Sequence, residues 1–223
     1  MDNFLKENER LDDLQFNNLY IIQNKNGYCF TSDAVKLANF ATVKNNGIVV
    51  DLCSGSGVVG ILVHAKNKVK KTYFVEIQEG LAEMCKRSIE LNKLEDQMEV
   101  LCMDLKNADK SLGIEFADTI VCNPPYFKKN DKTLIKEDRE KAIARHELTT
   151  NLEEIVRVAS RLIKYGGKFY LLNREERLVE IIQVLKKYNF EPKVLKVEKN
   201  RGSNLILIGS VSHGNSGIKI IVD

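Results

Sequence analysis

Tryptophan is absent from these 223 residues, proline occurs only three times, and the five cysteines include no Cys-x-x-Cys pair. Cys29, Cys53, Cys85, Cys102 and Cys122 are odd in number and widely spaced. That usage speaks against a disulfide-stapled scaffold or a thiolate zinc site and suits free thiols in a reducing, cytoplasmic compartment. No apolar run reaches the length of a membrane span, and the amino-terminal stretch, with Asp2, Glu7, Glu9, Asp12 and Asp13, lacks the character of a signal peptide. A net charge of +3 says little by itself about nucleic acid. A hydrophobic content of 43% supports one substantial core, so a single domain is expected over 1–223. It divides into an N-terminal extension at 1–45, a core at 46–211 and a short tail at 212–223.

Scarce as proline is, two prolines stand side by side in Asn123-Pro124-Pro125-Tyr126, directly after the apolar run Ala117 to Cys122. The placement suits methyl transfer to a planar nitrogen. An exocyclic amino group, or a carboxamide nitrogen, is a poor nucleophile because its lone pair is delocalised. An Asn side-chain oxygen and a neighbouring backbone carbonyl can each accept one N–H and draw the nitrogen toward a tetrahedral shape as it attacks. Consecutive prolines hold such acceptors in one geometry. Tyr126 offers a ring face on which a flat substrate can stack.

Upstream, Ile48 to Leu52 reads as a buried strand, and Cys53-Ser54-Gly55-Ser56-Gly57-Val58-Val59-Gly60 as a glycine-rich turn opening a helix. A second strand, Lys71 to Val75, ends at Glu76; a helix follows from about Gln78 to Asn92; a third strand, Met98 to Met103, ends at Asp104. Each strand therefore delivers a polar residue to the end where open α/β sheets bind ligands. Gly55-x-Gly57-x-x-Gly60 with Glu76 some twenty positions on also satisfies the dinucleotide fingerprint. Asp104 and the Asn-Pro-Pro-Tyr tetrad have a use in methyl transfer and none in hydride transfer, which favours S-adenosyl-L-methionine over a nicotinamide.

Together with Gly27 to Ala38, Val75 to Gln78, Ala144-Arg145-His146-Glu147 and Gly166 to Tyr170, these stretches resemble the class I S-adenosylmethionine-dependent methyltransferases. Among them they are most similar to the bacterial tRNA1(Val) adenine-37 N6-methyltransferases. The resemblance implies a Rossmann-like α/β fold with a mostly parallel seven-stranded sheet, one antiparallel strand and an N-terminal hairpin extension. It also implies N6-methylation of adenosine 37 in a tRNA anticodon loop, without a metal. Asp51, Cys53, Gly55, Gly57, Glu76, Ile77, Asp104, Leu105 and Asn123 would bind the cofactor, closed over by Phe30 and Thr31. Asn123 and the Pro124 carbonyl would receive the target amino group and Tyr126 would stack on the base. Cys53 occupies the place of the family's first loop glycine, where ordinary backbone angles are then expected.

Directly after the tetrad, residues 128–145 carry seven Lys and Arg, Lys128 and Lys129 first and Arg145 last, against four acids. This segment suits a lid that orders on RNA, with Pro125, Phe127 and His146 among the substrate contacts. A second basic set, Lys186, Lys187, Lys193, Lys196, Lys199 and Arg201, reads as a solvated face. Leu19 to Gln23 and Tyr28 to Thr31, around Asn24-Lys25-Asn26-Gly27, give the hairpin signal. Asn151 caps a helix at 152–162 that Gly166-Gly167 is expected to end. N5-methylation of a protein glutamine is the alternative reading; a nicotinamide-dependent oxidoreductase and a non-catalytic cofactor-binding module also stand open, as does the oligomeric state.

Overall fold

The computed structural model describes residues 4–25, 32–124, 150–199 and 203–222. In chain order the elements are β1 (Glu9–Asp13), β2 (Tyr20–Asn24), α1 (Ser32–Phe40), β3 (Gly47–Leu52), α2 (Val58–Lys66), β4 (Val69–Glu76), α3 (Glu79–Leu91), β5 (Met98–Cys102), α4 (Ala108–Leu112), β6 (Ala117–Cys122), α5 (Leu152–Leu162), β7 (Ile163–Arg174), α6 (Leu178–Lys187), β8 (Phe190–Glu198), β9 (Leu205–Ser212) and β10 (Lys219–Val222). The central sheet runs β10-β8-β9-β7-β6-β3-β4-β5. β9 is antiparallel to both of its neighbours and every other pairing is parallel.

The run of Val and Ile in β3 is buried on both faces, as a central parallel strand requires. Alternation sends Val50 and Leu52 into one core with Ile155, Val158 and Ile181, and Val49 into the other with Leu37, Ile61, Phe74 and Cys85. One helical layer thus holds α1, α2 and α3, and the other α4, α5 and α6. From β3 the chain builds outward through β4 to β5, then returns to β6 on the far side of β3. That reversal opens a crevice at the carboxyl ends of β3 and β6. Asn151 closes a capping box with Glu154 at the start of α5, as its sequence signals.

Two expectations, the strand count and the end of α5, need correction. β2 forms a hairpin with β1, Glu9↔Asn24 through Asp13↔Tyr20, and the strand expected at residues 28–31 lies outside the described residues. β1 reads as Glu-Arg-Leu-Asp-Asp and shows no strand pattern because Leu11 is its only apolar residue, packed with Ile22, Leu81 and Met84. The sheet has eight strands: the tail adds β10 as a parallel edge strand beside β8. Gly166 and Gly167 do not end α5, which stops at Leu162 when Ile163 turns extended. They lie within β7, where the register on β6 shifts between Ala117 and Thr119 and Gly166 takes a positive φ of 72°.

Candidate cofactor site

β3 places Asp51 beneath the amino-terminal turn of α2, on the same side as Val49. Gly60 N–H donates to Asp51 Oδ2 at 2.8 Å. The side chain is 1% exposed, and burial pushes its carboxyl up to about 8 against the lowering effect of that hydrogen bond; the nearby Glu76 carboxylate pushes it the same way. Its second oxygen, Oδ1, has no partner, nor does the buried hydroxyl of Ser54 three residues on.

Glu76 ends β4 one strand away and is 5% exposed. Gly55 N–H donates to its Oε2 at 2.8 Å and Gln78 N–H to its Oε1 at 2.9 Å. Desolvation nevertheless raises its carboxyl above the usual range. A carboxylate oxygen accepts more than one hydrogen bond, so each retains capacity for a hydroxyl donor. Ile77 follows with 40% of its surface exposed, an apolar face beside that acid.

Between these two acids the loop coils through three left-handed residues, Cys53 at φ 57°, Gly55 at 56° and Gly57 at 91°. Cys53 therefore departs from the ordinary angles expected of it: the turn keeps the conformation that glycine favours, and the cysteine bears the strain. The two glycines differ in use. A Cβ on Gly55 would meet nothing within 4 Å, whereas one on Gly57 would come within 2.4 Å of Cys85 Sγ. Open space lies over Gly55; the missing side chain of Gly57 lets α2 seat on α3. Gly60 serves similarly against Phe74 and Asp51.

Ala34 of α1, Cys53 to Ser56 of the loop, Val58, Val59 and Asn123 line one open cleft. Asn123 is half-buried and Pro124 buried at the end of β6, whose Cys122 lies between Leu52 and Leu171 in the sheet. Asp104 follows β5, where its Oδ1 caps the short turn after it by accepting from Lys106 N–H at 3.0 Å. Leu105 is buried and packs in the core with Val75 and Ala108. Phe30, Thr31, Pro125, Tyr126, Phe127, Lys128, Lys129, Arg145 and His146 lie outside the described residues.

Sequence reasoning missed Ser54 and Ser56 as cleft residues, since small polar residues between glycines read as plain turn formers, and it missed Gln23, whose amide reaches this loop. In the second basic set, Lys186 pairs with Glu191, Lys187 with Glu153 and Lys196 with Glu198, as a solvated face would. Among the described residues no cluster of His, Cys, Asp and Glu is arranged to hold a metal, and no helix is long and apolar enough to cross a membrane.

Residues 34–194 match the model of the methyltransferase small domain family. A tRNA1(Val) (adenine(37)-N6)-methyltransferase of Shewanella halifaxensis is 21% identical over 174 residues, covering 78% of this chain and 69% of that protein. One from Porphyromonas gingivalis is 26% identical over 134 residues, 59% of this chain and about half, 51%, of the relative. The structure of M. jannaschii TYW2 in complex with AdoMet superposes with a TM-score of 0.64 at 14% identity, covering 93% of this chain and 87% of the other. The cleft suits the same cofactor. Asp51 Oδ1 and Ser54 Oγ are buried without partners and could hold polar groups of a cofactor, Glu76 keeps acceptor capacity for hydroxyl donors, and Gly55 leaves room above the loop. With the family model spanning most of the chain, the protein belongs to the methyltransferase small domain family and is an S-adenosylmethionine-dependent methyltransferase.

Proposed function

We propose that this methyltransferase modifies the exocyclic N6 of an adenine in tRNA, with adenosine 37 of the anticodon loop as the target. The carrying observation is that Asn123 lines the same cleft as the glycine loop, so an amide that can accept from a target N–H stands next to the cofactor site. The names of the curated relatives support the substrate.

In this reading Asp51 Oδ1 accepts from the cofactor's ammonium and Ser54 meets its carboxylate. Glu76 receives both ribose hydroxyls, Ile77 lies under the adenine, and Asp104 accepts from the adenine amino group. Bound S-adenosylmethionine supplies a methyl already activated on a sulfonium. The chain's task is alignment and hydrogen-bond acceptance: Asn123 and the Pro124 carbonyl take the two N–H groups, and Tyr126 stacks on a base turned out of its loop. The proton released as the N–C bond forms can pass to water, since the nitrogen becomes acidic only then.

Incubation with radiolabelled methyl donor and either total tRNA or total protein tests the reading. Label in tRNA, recovered as N6-methyladenosine at position 37 after nuclease mapping, is expected. Label confined to protein, as N5-methylglutamine, would replace it with glutamine methylation.

A further inference from the structure

The glycine loop has a support that its own sequence does not announce. Gln23, in β2 of the N-terminal hairpin, is 1% exposed and donates through Nε2 to Ser56 Oγ at 2.6 Å, and also to Ile22 O at 3.2 Å. Ser56 is itself buried and lines the cleft between Gly55 and Gly57. A buried amide commits its donors to partners, because leaving one unmade costs its full desolvation.

The strand that carries Gln23 is fixed from its other side by α3. Ser88 Oγ accepts from Ile22 N–H at 2.9 Å, Asn92 Oδ1 accepts from Tyr20 N–H at 3.0 Å, and Asn92 Nδ2 donates to Tyr20 O at 2.7 Å. These side chains take the place of a further strand along β2. Arg87 of α3 adds a twin ion pair to Glu9 of β1, at 2.6 Å for Nη2 to Oε1 and 2.7 Å for Nη1 to Oε2. The hairpin is therefore a rigid brace, and its buried Gln23–Ser56 contact with the cofactor loop is placed on a residue between two left-handed glycines.

We infer that Gln23 is a positioning residue for S-adenosylmethionine: through Ser56 it holds the glycine loop in its cofactor-binding form before the cofactor arrives. Without the brace, the loop's ordering cost falls on the binding step. Gln23 touches no reacting atom, so its loss is felt in cofactor affinity and not in the chemical step. The inference rests on the reading that this loop holds the cofactor.

Calorimetric titration with S-adenosylhomocysteine tests it in wild type, Gln23→Leu, Ser56→Ala and the double variant, alongside single-turnover rates at saturating methyl donor. Each single change is expected to weaken binding by about 5- to 20-fold while the saturated rate stays within about twofold, the size of one lost buried hydrogen bond. The double variant should bind no worse than the weaker single, because the two residues share one bond. Binding by a folded Ser56→Ala protein within about twofold of wild type, or losses that multiply in the double variant, would overturn the inference. Should Gln23→Leu fail to fold, Ser56→Ala decides alone, its smaller change lying on the loop side. A wild-type protein that does not bind S-adenosylhomocysteine at all overturns the loop assignment, and the inference with it.

Discussion

The Gly55 amide donates to Glu76 Oε2 across 2.8 Å, so the glycine loop and the end of the neighbouring strand are tied together. With Gln78 N–H on the other oxygen, Glu76 is oriented by backbone donors on both sides and presents its remaining lone pairs outward. Glu76→Gln replaces one acceptor by an amide donor that must face either Gly55 N–H or Gln78 N–H. Affinity for S-adenosylhomocysteine is expected to fall about ten- to a hundredfold, the loss of hydrogen bonds to a charged group. Calorimetric titration reads this directly; wild-type affinity in the variant would remove Glu76 from the site.

Burial holds the Asp51 carboxyl at about 8, well above that of the free side chain. The folded protein therefore binds this proton more tightly than the unfolded chain does. Asp51's contribution to stability is complete below the ordinary carboxylate range and is lost as pH rises toward 8. A bound ammonium group reverses the preference and expels the proton. Cofactor affinity should then rise with pH between about 6 and 8, by at most about tenfold per unit, with proton release on binding. Titrations in buffers of differing ionisation enthalpy measure that release, and Asp51→Asn should abolish it. A pH-independent affinity in the wild-type protein would mean that Asp51 is already ionised before the cofactor binds.

Cys53 sits at φ 57°, a conformation that costs a non-glycine residue roughly 1–2 kcal/mol. Cys53→Gly relieves that strain but loses about 0.4–1 kcal/mol to the greater freedom of the unfolded chain. Its melting midpoint is expected at or above that of wild type, with cofactor affinity retained. Cys53→Val puts a β-branched side chain at the same angles and should melt several degrees lower, on the scale of about 2–4 °C per kcal/mol for a chain of this size. Equal midpoints for all three proteins would contradict the left-handed turn.

What the sequence conveyed and what it did not divide along a physical line. β3 and β6 were readable because strands buried on both faces are largely apolar, β4 through its apolar end Tyr73 to Val75, and the polar residues at their ends, Asp51, Glu76 and Asn123, stand out against them. α5 declared its start through the Asn151 cap. β1 was hidden because a two-stranded ribbon lying on one helix needs only a single apolar side chain, Leu11. β10 was hidden because a short edge strand with Ile220 and Val222 exposed carries no burial pattern. The contribution of Gln23 to the site was illegible for a different reason: its partner Ser56 is 33 residues away, and long-range hydrogen bonds leave no local periodicity.

Asn123 follows Cys122, whose strand lies between β3 and β7, so little backbone adjustment is available to it. Were its oxygen the acceptor for a target N–H, Asn123→Ala would remove one preorganised group from the transition state and lower the single-turnover rate by roughly two to three powers of ten. Asn123→Asp keeps an acceptor oxygen at the same place and is expected to retain more activity than the alanine variant. Rates should be taken on total tRNA at saturating methyl donor, so that any change in cofactor affinity does not enter. A steric role alone would leave Asn123→Leu, of similar size but without an acceptor, as active as Asn123→Asp; full turnover by the alanine variant would exclude the acceptor role altogether.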